Sequence, residues 1–410
     1  MKKSPLEVNV LVLVTLGLVA FGLVMVYSAT SAPAALAQTD PMSYLKKQAG
    51  YALFGVALMI AASRFDYRRL RAFAPALVLT ALAGCLAVLA VGARINGARR
   101  WIEVGPATFQ PSELAKLAIA VWAAAYLSRR PAPQTLRELW RPIGLLLAVF
   151  CVLILAEPDL GTAIALVVVL LAVLVVSGTP GITLASAGTI AVTLGLLAIW
   201  FEPYRRARLF SFLDPWKDPQ GAGFQTVQAL ISLGSGGPFG VGLGHGVAKV
   251  NYLPEAHTDM ILGVIGEELG LVGVAAVLAA FVVFAWAGLR VALNCKDPFG
   301  KRLAVGVVAL VSGQAVINLA AVLGLAPLTG IPLPFISYGG SSLVVSLLSV
   351  GVLLNIAGGG ARARAAVRDS GRGNGGTRRA VARGRGSAAT AGRARDVRRV
   401  AGSNRSAARS

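Results

Sequence analysis

The sequence predicts an all-α polytopic membrane protein with about ten transmembrane helices. Three observations indicate this class: a mean hydropathy of +0.71, a charged fraction of 14%, and apolar runs of about 20 residues recurring along the 410-residue chain. A soluble domain carries about 25% charged residues, whereas about 20 apolar residues cross the ~30 Å hydrocarbon core as a helix. Strand-length alternation is absent, which argues against a transmembrane β-barrel.

The predicted spans follow the chain in order. The first, 8–26, comes after two lysines, and its apolar core is longer than the ~7–15 residues typical of a signal peptide. We therefore interpret it as a membrane span that enters from the cytoplasm. The remaining spans are expected at about 48–63, 73–92, 113–128, 142–156, 162–177, 182–200, 259–289, 303–324 and 343–357.

The distribution of Lys and Arg predicts the orientation. The basic loops are 64–71, 128–141 and 290–302, and the residues after 358 are also Arg-rich. Because basic loops face the cytoplasm, we expect both termini to be cytoplasmic. The large loop 202–258, between the seventh and eighth spans, is then external.

We expect two regions: a membrane domain, 1–358, and a tail, 359–410. Residues 361–410 hold 14 Arg and 2 Asp within a protein of net charge +21. The tail has almost no large apolar residue to bury, which predicts disorder. Arg/Gly tracts can bind nucleic acid, but a cytoplasmic tail resting on anionic lipid headgroups is favoured, so no nucleic-acid partner is expected.

Positive charge also occurs on the outer side, against the positive-inside rule. Arg94, Arg99, Arg100 and Lys116 lie in or next to the predicted external loop between the third and fourth spans, beside Trp101. One interpretation is an interfacial helix anchored by the tryptophan. The other is an anion site for a phosphorylated lipid headgroup.

Carboxylates accompany this basic stretch. Glu113 and Lys116 are three residues apart and share a helix face, which predicts either a local ion pair or a lysine that projects into a shared cavity. Glu157 and Asp159 lie in a short turn between spans. They are either solvated turn residues or groups held close to the membrane plane.

The eighth span is predicted to begin at Asp259, with Thr258 as a candidate N-cap. At 100° per residue, this aspartate heads a stripe of small residues that favours close helix packing; the stripe comprises Gly263, Gly266, Gly270 and Gly273. Glu267 and Glu268 follow within the apolar run. Charge within hydrocarbon is costly and indicates function by default, although at least one of the two glutamates is expected to pair with a neighbouring span.

A broken segment near the end completes the candidate site. Residues 330–342 contain two prolines and several glycines in an apolar frame. Irregular backbone at membrane depth has to line protein or water. Ser337 and its neighbouring hydroxyls are therefore expected to face a cavity.

Five motifs in register resemble the SEDS family (shape, elongation, division and sporulation) over about residues 8–358. They are Phe109-Gln-Pro-Ser-Glu-Leu-Ala-Lys116, Glu157-Pro-Asp-Leu-Gly161, Leu253-Pro-Glu-Ala-His-Thr-Asp259, Gly266-Glu-Glu-Leu-Gly270 and Pro334-Phe-Ile-Ser-Tyr-Gly-Gly-Ser-Ser342. The residues of these motifs are more similar to those of the cell-division branch than to those of the elongation branch.

The resemblance implies a ten-span peptidoglycan glycosyltransferase of the bacterial cytoplasmic (inner) membrane, acting at the division septum. It would polymerise lipid II together with a class B penicillin-binding protein and other division proteins. Asp259 is the implied catalytic residue. The expected substrate-binding residues are Arg100, Trp101, Glu113, Lys116, Asp159, Glu255, His257, Thr258 and Ser337. A divalent cation, Mg²⁺ or Mn²⁺, beside the carboxylates is a further expectation.

The chemistry of such a transfer suits these residues. The donor carries a diphosphate leaving group, so the reaction needs a base for the acceptor hydroxyl and cations for the diphosphate. Asp259 is the candidate base, and Arg100 and Lys116 are the candidate cations. A transporter that flips lipid-linked precursor and a non-catalytic scaffold are the alternatives from other classes.

Overall fold

The computed structural model describes residues 6–36, 38–95, 98–105, 107–250 and 253–373. The first half forms α1 (Leu6–Leu36), α2 (Ser43–Arg64), α3 (Tyr67–Val91), β1 (Ala93–Ile95), β2 (Ala98–Val104), β3 (Ala107–Phe109), α4 (Pro111–Leu127), α5 (Leu136–Leu139), a π-helical turn (Trp140–Gly144) and α6 (Leu145–Ala156). The second half forms α7 (Leu160–Ser177), α8 (Gly181–Trp200), α9 (Pro203–Leu213), a 3₁₀ turn (Pro215–Lys217), α10 (Phe224–Ser235), α11 (Ile261–Asn294), α12 (Pro298–Val322) and α13 (Gly340–Gly373).

Eight helical segments in the described part of the chain are long and apolar enough to cross a membrane. They are α1, α3, the 136–156 segment (α5, the π-helical turn and α6, with a kink at Arg141), α7, α8, α11, α12 and the 340–359 part of α13. The polytopic all-α class is thereby confirmed. The other two predicted spans correspond to α2 and to α4, which has 17 residues, so the number ten stays a prediction.

The core is a bundle in which α4, α7, α11 and α12 are central. α12 packs against α11, α7 and α4, and α1 packs along α11. Small residues allow the close approach: a Cβ atom on Gly306 of α12 would lie 3.1 Å from Ala120 Cβ of α4. Small residues at helix contacts are typical of membrane bundles, where van der Waals packing drives association.

Residues 93–109 form a three-stranded antiparallel sheet in the order β1-β2-β3. Of the two interpretations of this stretch, the interfacial helix is wrong, because its described residues form strands. Ile95 pairs with Ala98, and Val104 pairs with Ala107, so both connections are two residues long. Asn-Gly at 96–97 is typical of such hairpins and was the sequence signal for strands; these two residues lie outside the described part.

α11 begins at Ile261, two residues later than expected, with Met260 as its N-cap residue. Thr258 is not the cap, because Met260 occupies the cap position and no side chain accepts a capping hydrogen bond there. The chain therefore presents Asp259 from a loop rather than from the first helical turn.

Gly270 breaks α11, with φ of 67° and ψ of −162°. The glycine-rich segment 237–242 lies in this break and forms hydrogen bonds with backbone groups that the break leaves without helical partners. Leu271 N donates to Gly237 O at 2.9 Å, and Val241 N donates to Glu267 O at 3.0 Å. Irregular backbone at this depth is tolerated because protein covers it.

The glycine stripe packs closely, as predicted, over its first part. Gly263 lies against Ala229 and Ser232 of α10, and Gly266 lies against Leu233. The break at Gly270 interrupts the 100° period, so the single face predicted for all four glycines does not continue through it.

The large loop 202–258 contains α9 and α10 rather than only irregular chain. At the other end, α13 continues to Gly373, past the tail boundary expected at 359. Disorder was predicted for the whole tail, 359–410; its first part, 359–373, is helical, and residues 374–410 lie outside the described residues.

Candidate active site

Asp259 is positioned next to α12 through a hydrogen bond to its backbone carbonyl group. Asn318 Nδ2 of α12 donates to Asp259 O at 2.8 Å and to Ile331 O at 2.9 Å. Tyr338 N donates to His257 O at 2.8 Å. Loop 257–259 is thus fastened to the broken segment 330–342, which brings together two of the predicted motifs.

The Asp259 carboxyl group is only partly exposed. Burial raises its pKa to about 6, while the positive charge of Arg208 and the hydroxyl of Thr258 act in the opposite direction. Thr258 Oγ1 donates to Asp259 Oδ1 at 3.1 Å. At neutral pH the group is therefore mostly ionised, with a pKa close to the working pH, which suits a general base.

An aromatic cluster lies next to this carboxylate. The His257 ring is 4.9 Å from the Tyr44 ring and 5.5 Å from the Tyr338 ring. Burial lowers the pKa of His257, so its ring is neutral at pH 7.

The other predicted residues of these two motifs differ in exposure. Glu255 is exposed and adopts a φ of 54°. Ser337 is 3% exposed, and its Oγ accepts from Leu333 N at 2.8 Å. Its hydroxyl therefore stabilises the turn, and the expectation that it faces an open cavity is wrong for this structure.

Arg208 is a cation near Asp259 that the sequence reasoning missed. Its guanidinium carbon lies 4.7 Å from the centre of the Tyr204 ring, and its Nη1 donates to Leu328 O at 3.3 Å. A Cβ atom on Gly330 would lie 3.9 Å from Asp259 Oδ2 and 4.0 Å from Arg208 Nη1. The two groups border the same point. The available signal was a run of arginines in a predicted external loop.

Arg100 and Asp159 meet at the turn between α6 and α7. Arg100 Nε donates to Glu157 O at 2.9 Å, and its Nη2 donates to Pro158 O. Asp159 is 2% exposed and caps α7, accepting from Thr162 N at 3.0 Å. Arg100 thus fastens β2 to the turn, and the solvated-turn interpretation is wrong because the carboxylate is buried.

Glu157 in the same turn is 0% exposed. Burial and then the charge of Asp159 raise its pKa to about 8, so it is largely neutral at pH 7. Trp101 lies in β2, half-buried and paired with Ala93.

Lys116 forms the local ion pair that was one of its two interpretations. Its Nζ lies 2.8 Å from Glu113 Oε1 and Oε2 and also donates to Gln314 Oε1. Gln314 Nε2 donates in turn to Pro332 O at 2.8 Å. Because Lys116 is 0% exposed, it does not line an open cavity. It supports the broken segment 330–342 through Gln314.

The two glutamates of α11 are also accounted for. Glu267 Oε1 accepts from Val247 N at 2.8 Å. Glu268 accepts from Ser28 Oγ of α1 at 2.7 Å and pairs with Lys249 Nζ at 2.6 Å. The predicted pairing of at least one glutamate with a neighbouring span is confirmed by the Ser28 contact.

The 157–162 turn and the Asp259 site both border residues 329–331. A Cβ atom on Gly161, at the start of α7, would lie 2.9 Å from Thr329 O. Gly330 faces Asp259 and Arg208 instead. The 157–162 turn therefore supports the backbone that borders the Asp259 site.

Comparison with known proteins agrees with these motifs. The FtsW/RodA/SpoVE family model, described as a cell cycle protein, matches residues 9–359. A probable peptidoglycan glycosyltransferase FtsW of Geobacter sulfurreducens is 42% identical over 354 residues, which cover 85% of this chain and 94% of the relative. Stage V sporulation protein E of Bacillus subtilis is 39% identical over 350 residues, covering 84% and 95%.

Solved structures show the same fold. One, described as structural coordination of polymerization and crosslinking by a peptidoglycan synthase complex, aligns with a TM-score of 0.71 and 32% identity, covering 85% of this chain and 96% of the other. The rod shape determining protein RodA of Thermus thermophilus aligns with a TM-score of 0.62 and 30% identity, with the same coverage. The motifs, the helical membrane fold and these matches together show that the chain belongs to the FtsW/RodA/SpoVE family.

Proposed function

We propose that the protein is a peptidoglycan glycosyltransferase that polymerises lipid II into β-1,4 glycan strands during septal wall synthesis. The observation that carries this proposal is Asp259, a partly exposed carboxylate that Asn318 and loop 330–342 hold beside a cation. The names of the FtsW relatives support the reaction and the division role.

The proposed reaction is a single displacement at the anomeric carbon of the donor. Asp259 accepts the proton of the acceptor hydroxyl while the oxygen of that hydroxyl bonds to the anomeric carbon. The bond from carbon to the diphosphate oxygen breaks, and the lipid diphosphate leaves with the electron pair. One displacement inverts an α-linked donor to a β-linked product. Asp259 then releases its proton to water.

A divalent cation remains a proposal. Among the described residues, no group of three or more His, Cys, Asp or Glu side chains could hold a metal ion. Mg²⁺ is often bound by one or two carboxylates together with substrate phosphates, and Asp259 is the carboxylate that would meet it. Such an ion would neutralise charge on the diphosphate.

The partner and location follow from the same proposal. A related structure is described as a complex that coordinates polymerization and crosslinking, which supports a class B penicillin-binding protein as the crosslinking partner. We place the protein in the bacterial inner membrane at the septum, with the other division proteins.

The test is an in vitro polymerisation assay with labelled lipid II, with and without the partner, on Asp259→Asn. Loss of the base predicts a fall in rate of at least about 100-fold, with unchanged elution on size exclusion. Asp214→Asn is the control, since Asp214 is an exposed carboxylate of the same external loop. The need for a divalent cation is tested by measuring the polymerisation rate after treatment with a chelator and again after addition of Mg²⁺ or Mn²⁺.

Two outcomes would contradict the proposal. Asp259→Asn that polymerises at the wild-type rate removes the assigned base. Wild-type protein that moves lipid II across vesicle membranes without forming glycan favours the transporter.

A further inference from the structure

The three arginines of α9 have different environments. Arg205 Nη2 donates to Leu155 O at 2.8 Å, which ties α9 to the end of α6. The Arg206 guanidinium carbon lies 5.8 Å from the centre of the Trp200 ring. Arg208 instead contacts Leu328 O and lies in the vicinity of Asp259.

The cations that the sequence assigned to the diphosphate are engaged elsewhere. Lys116 is 0% exposed and paired with Glu113. Arg100 donates to two backbone carbonyl groups at the 157–159 turn. Neither arrangement leaves the charge directed at the space beside Asp259.

Arg208 has the properties that these two residues lack. It is partly exposed, and no carboxylate of the described residues forms an ion pair with it. The Tyr204 ring and Leu328 O hold its guanidinium in place. The point bordered by Arg208 and Asp259 lies at Gly330, where there is no side chain to fill it.

We propose that Arg208 binds the diphosphate of the glycosyl donor and stabilises the charge that develops on it as the lipid diphosphate leaves. This rests on the proposed function and assigns the cationic role to a residue of the external helix α9. A guanidinium presents several N–H donors in a fork that matches phosphate oxygens. A cation fixed before the reaction stabilises developing charge without reorganisation.

The spacing of the two groups suits this division of roles. The carboxylate and the guanidinium do not form an ion pair with each other, yet both lie about 4 Å from the point where a Cβ atom on Gly330 would sit. Asp259 faces the attacking hydroxyl, and Arg208 faces the departing diphosphate. Because α9 belongs to the external loop, movement of that loop would change the position of Arg208 relative to Asp259.

The first experiment measures binding without turnover. Undecaprenyl diphosphate and undecaprenyl monophosphate are titrated onto wild type, Arg208→Gln, Arg208→Lys and Arg206→Gln by native mass spectrometry. For Arg208→Gln we expect binding of the diphosphate to weaken by about ten- to 100-fold, as when a charge-assisted hydrogen bond is lost. Arg208→Lys should keep part of the affinity but less of the preference for diphosphate, because lysine lacks the fork.

Arg206→Gln is the matched control, since it removes the same charge from the same helix at a position stacked on Trp200. Its diphosphate affinity should stay within about twofold of wild type. Equal losses in Arg206→Gln and Arg208→Gln would show a general effect of α9 charge and would overturn the proposal, as would wild-type diphosphate binding by Arg208→Gln.

The second experiment is the pH profile of polymerisation. Because the charge of Arg208 lowers the pKa of Asp259, Arg208→Gln should move the acid limb to higher pH and Arg208→Lys should not. An unshifted limb in Arg208→Gln contradicts the geometry. If Arg208→Gln fails to fold, Arg208→Lys provides the test. A preference for diphosphate over monophosphate as strong as that of wild type, or a shifted acid limb, would then contradict the proposal.

The two proposals fail separately. Wild type that binds undecaprenyl diphosphate through Arg208 but forms no glycan refutes the glycosyltransferase and leaves the Arg208 site standing. Wild type that polymerises while Arg208→Gln binds normally refutes only the Arg208 site.

Discussion

Asp259 differs from an ordinary surface aspartate because its surroundings withdraw it from water without enclosing it. Burial raises the pKa of its carboxyl group to about 6, and Arg208 limits that rise. Asn318 and the 330–342 segment hold the backbone on either side. The residue is therefore both positioned and tuned for proton transfer near neutral pH.

This pKa predicts the acid limb of activity. A raised pKa means that the carboxyl group is protonated below about pH 6 and cannot accept a proton there. We expect the polymerisation rate at low substrate to fall about tenfold for each pH unit below that value. Initial rates between pH 5 and 8 would check this, and a flat profile down to pH 5 would contradict it.

At the level of elements, buried polar pairs fasten segments that the hydrophobic effect cannot orient in lipid. Lys116 and Gln314 link α4 and α12 to Pro332 of the broken segment. Lys249 and Glu268 fasten the external loop to α11. Breaking a buried pair leaves an uncompensated charge, whereas replacing both partners with apolar groups is often tolerated.

The pair in α4 provides a direct test. Lys116→Met should destabilise the protein by about 3–5 kcal/mol, since Glu113 is left charged and buried. Lys116→Met with Glu113→Leu should recover most of that loss, though not all, because Gln314 also loses a donor. Thermal unfolding in detergent measures both.

Lys46→Met is the control for this test. Its pair with Asp40 is exposed, with side chains 67% and 49% accessible, so we expect no resolvable loss of stability, because solvent screens exposed ion pairs. A stable double variant that still polymerises would assign Lys116 a structural role. A stable but inactive one would support the predicted contact with substrate.

At the level of the whole molecule, the spans and the charges of the loops predict a single orientation. Eight helical segments of the described chain qualify as spans. α2 and α4 would complete the predicted ten. With ten crossings and the basic loops inside, we expect loop 202–258 and the Asp259 site to lie outside, where an extracytoplasmic substrate could reach them.

Cysteine labelling tests this orientation. With Cys85, Cys151 and Cys295 replaced by serine, single cysteines are introduced at Asp214 and Lys296, both of which are exposed. An impermeant maleimide applied to intact cells should label Asp214→Cys, and it should label Lys296→Cys only after permeabilisation. Labelling of both from outside would disprove the predicted topology.

The sequence by itself determined the membrane class, the approximate spans and the family motifs. These depend on local composition: apolar runs specify helices in lipid, and motif wording is read residue by residue. It also indicated Asp259 as the candidate base, because a carboxylate beside an apolar run is costly and therefore conspicuous. The sheet at 93–109 also has a local signal, since Asn-Gly between two short runs is typical of hairpins, although the interfacial-helix interpretation did not use it.

Only the tertiary structure decided which charges face the site and which neutralise one another. Lys116, Lys249 and Arg208 look alike in sequence, yet two are buried against carboxylates and one borders Asp259. The start of α11 and its break at Gly270 likewise depend on the segments packed there. Pairing between residues far apart in the chain, such as Ser28 with Glu268, 240 positions away, is a property of the packed helices, because distance in the chain carries no information about contact in the bundle.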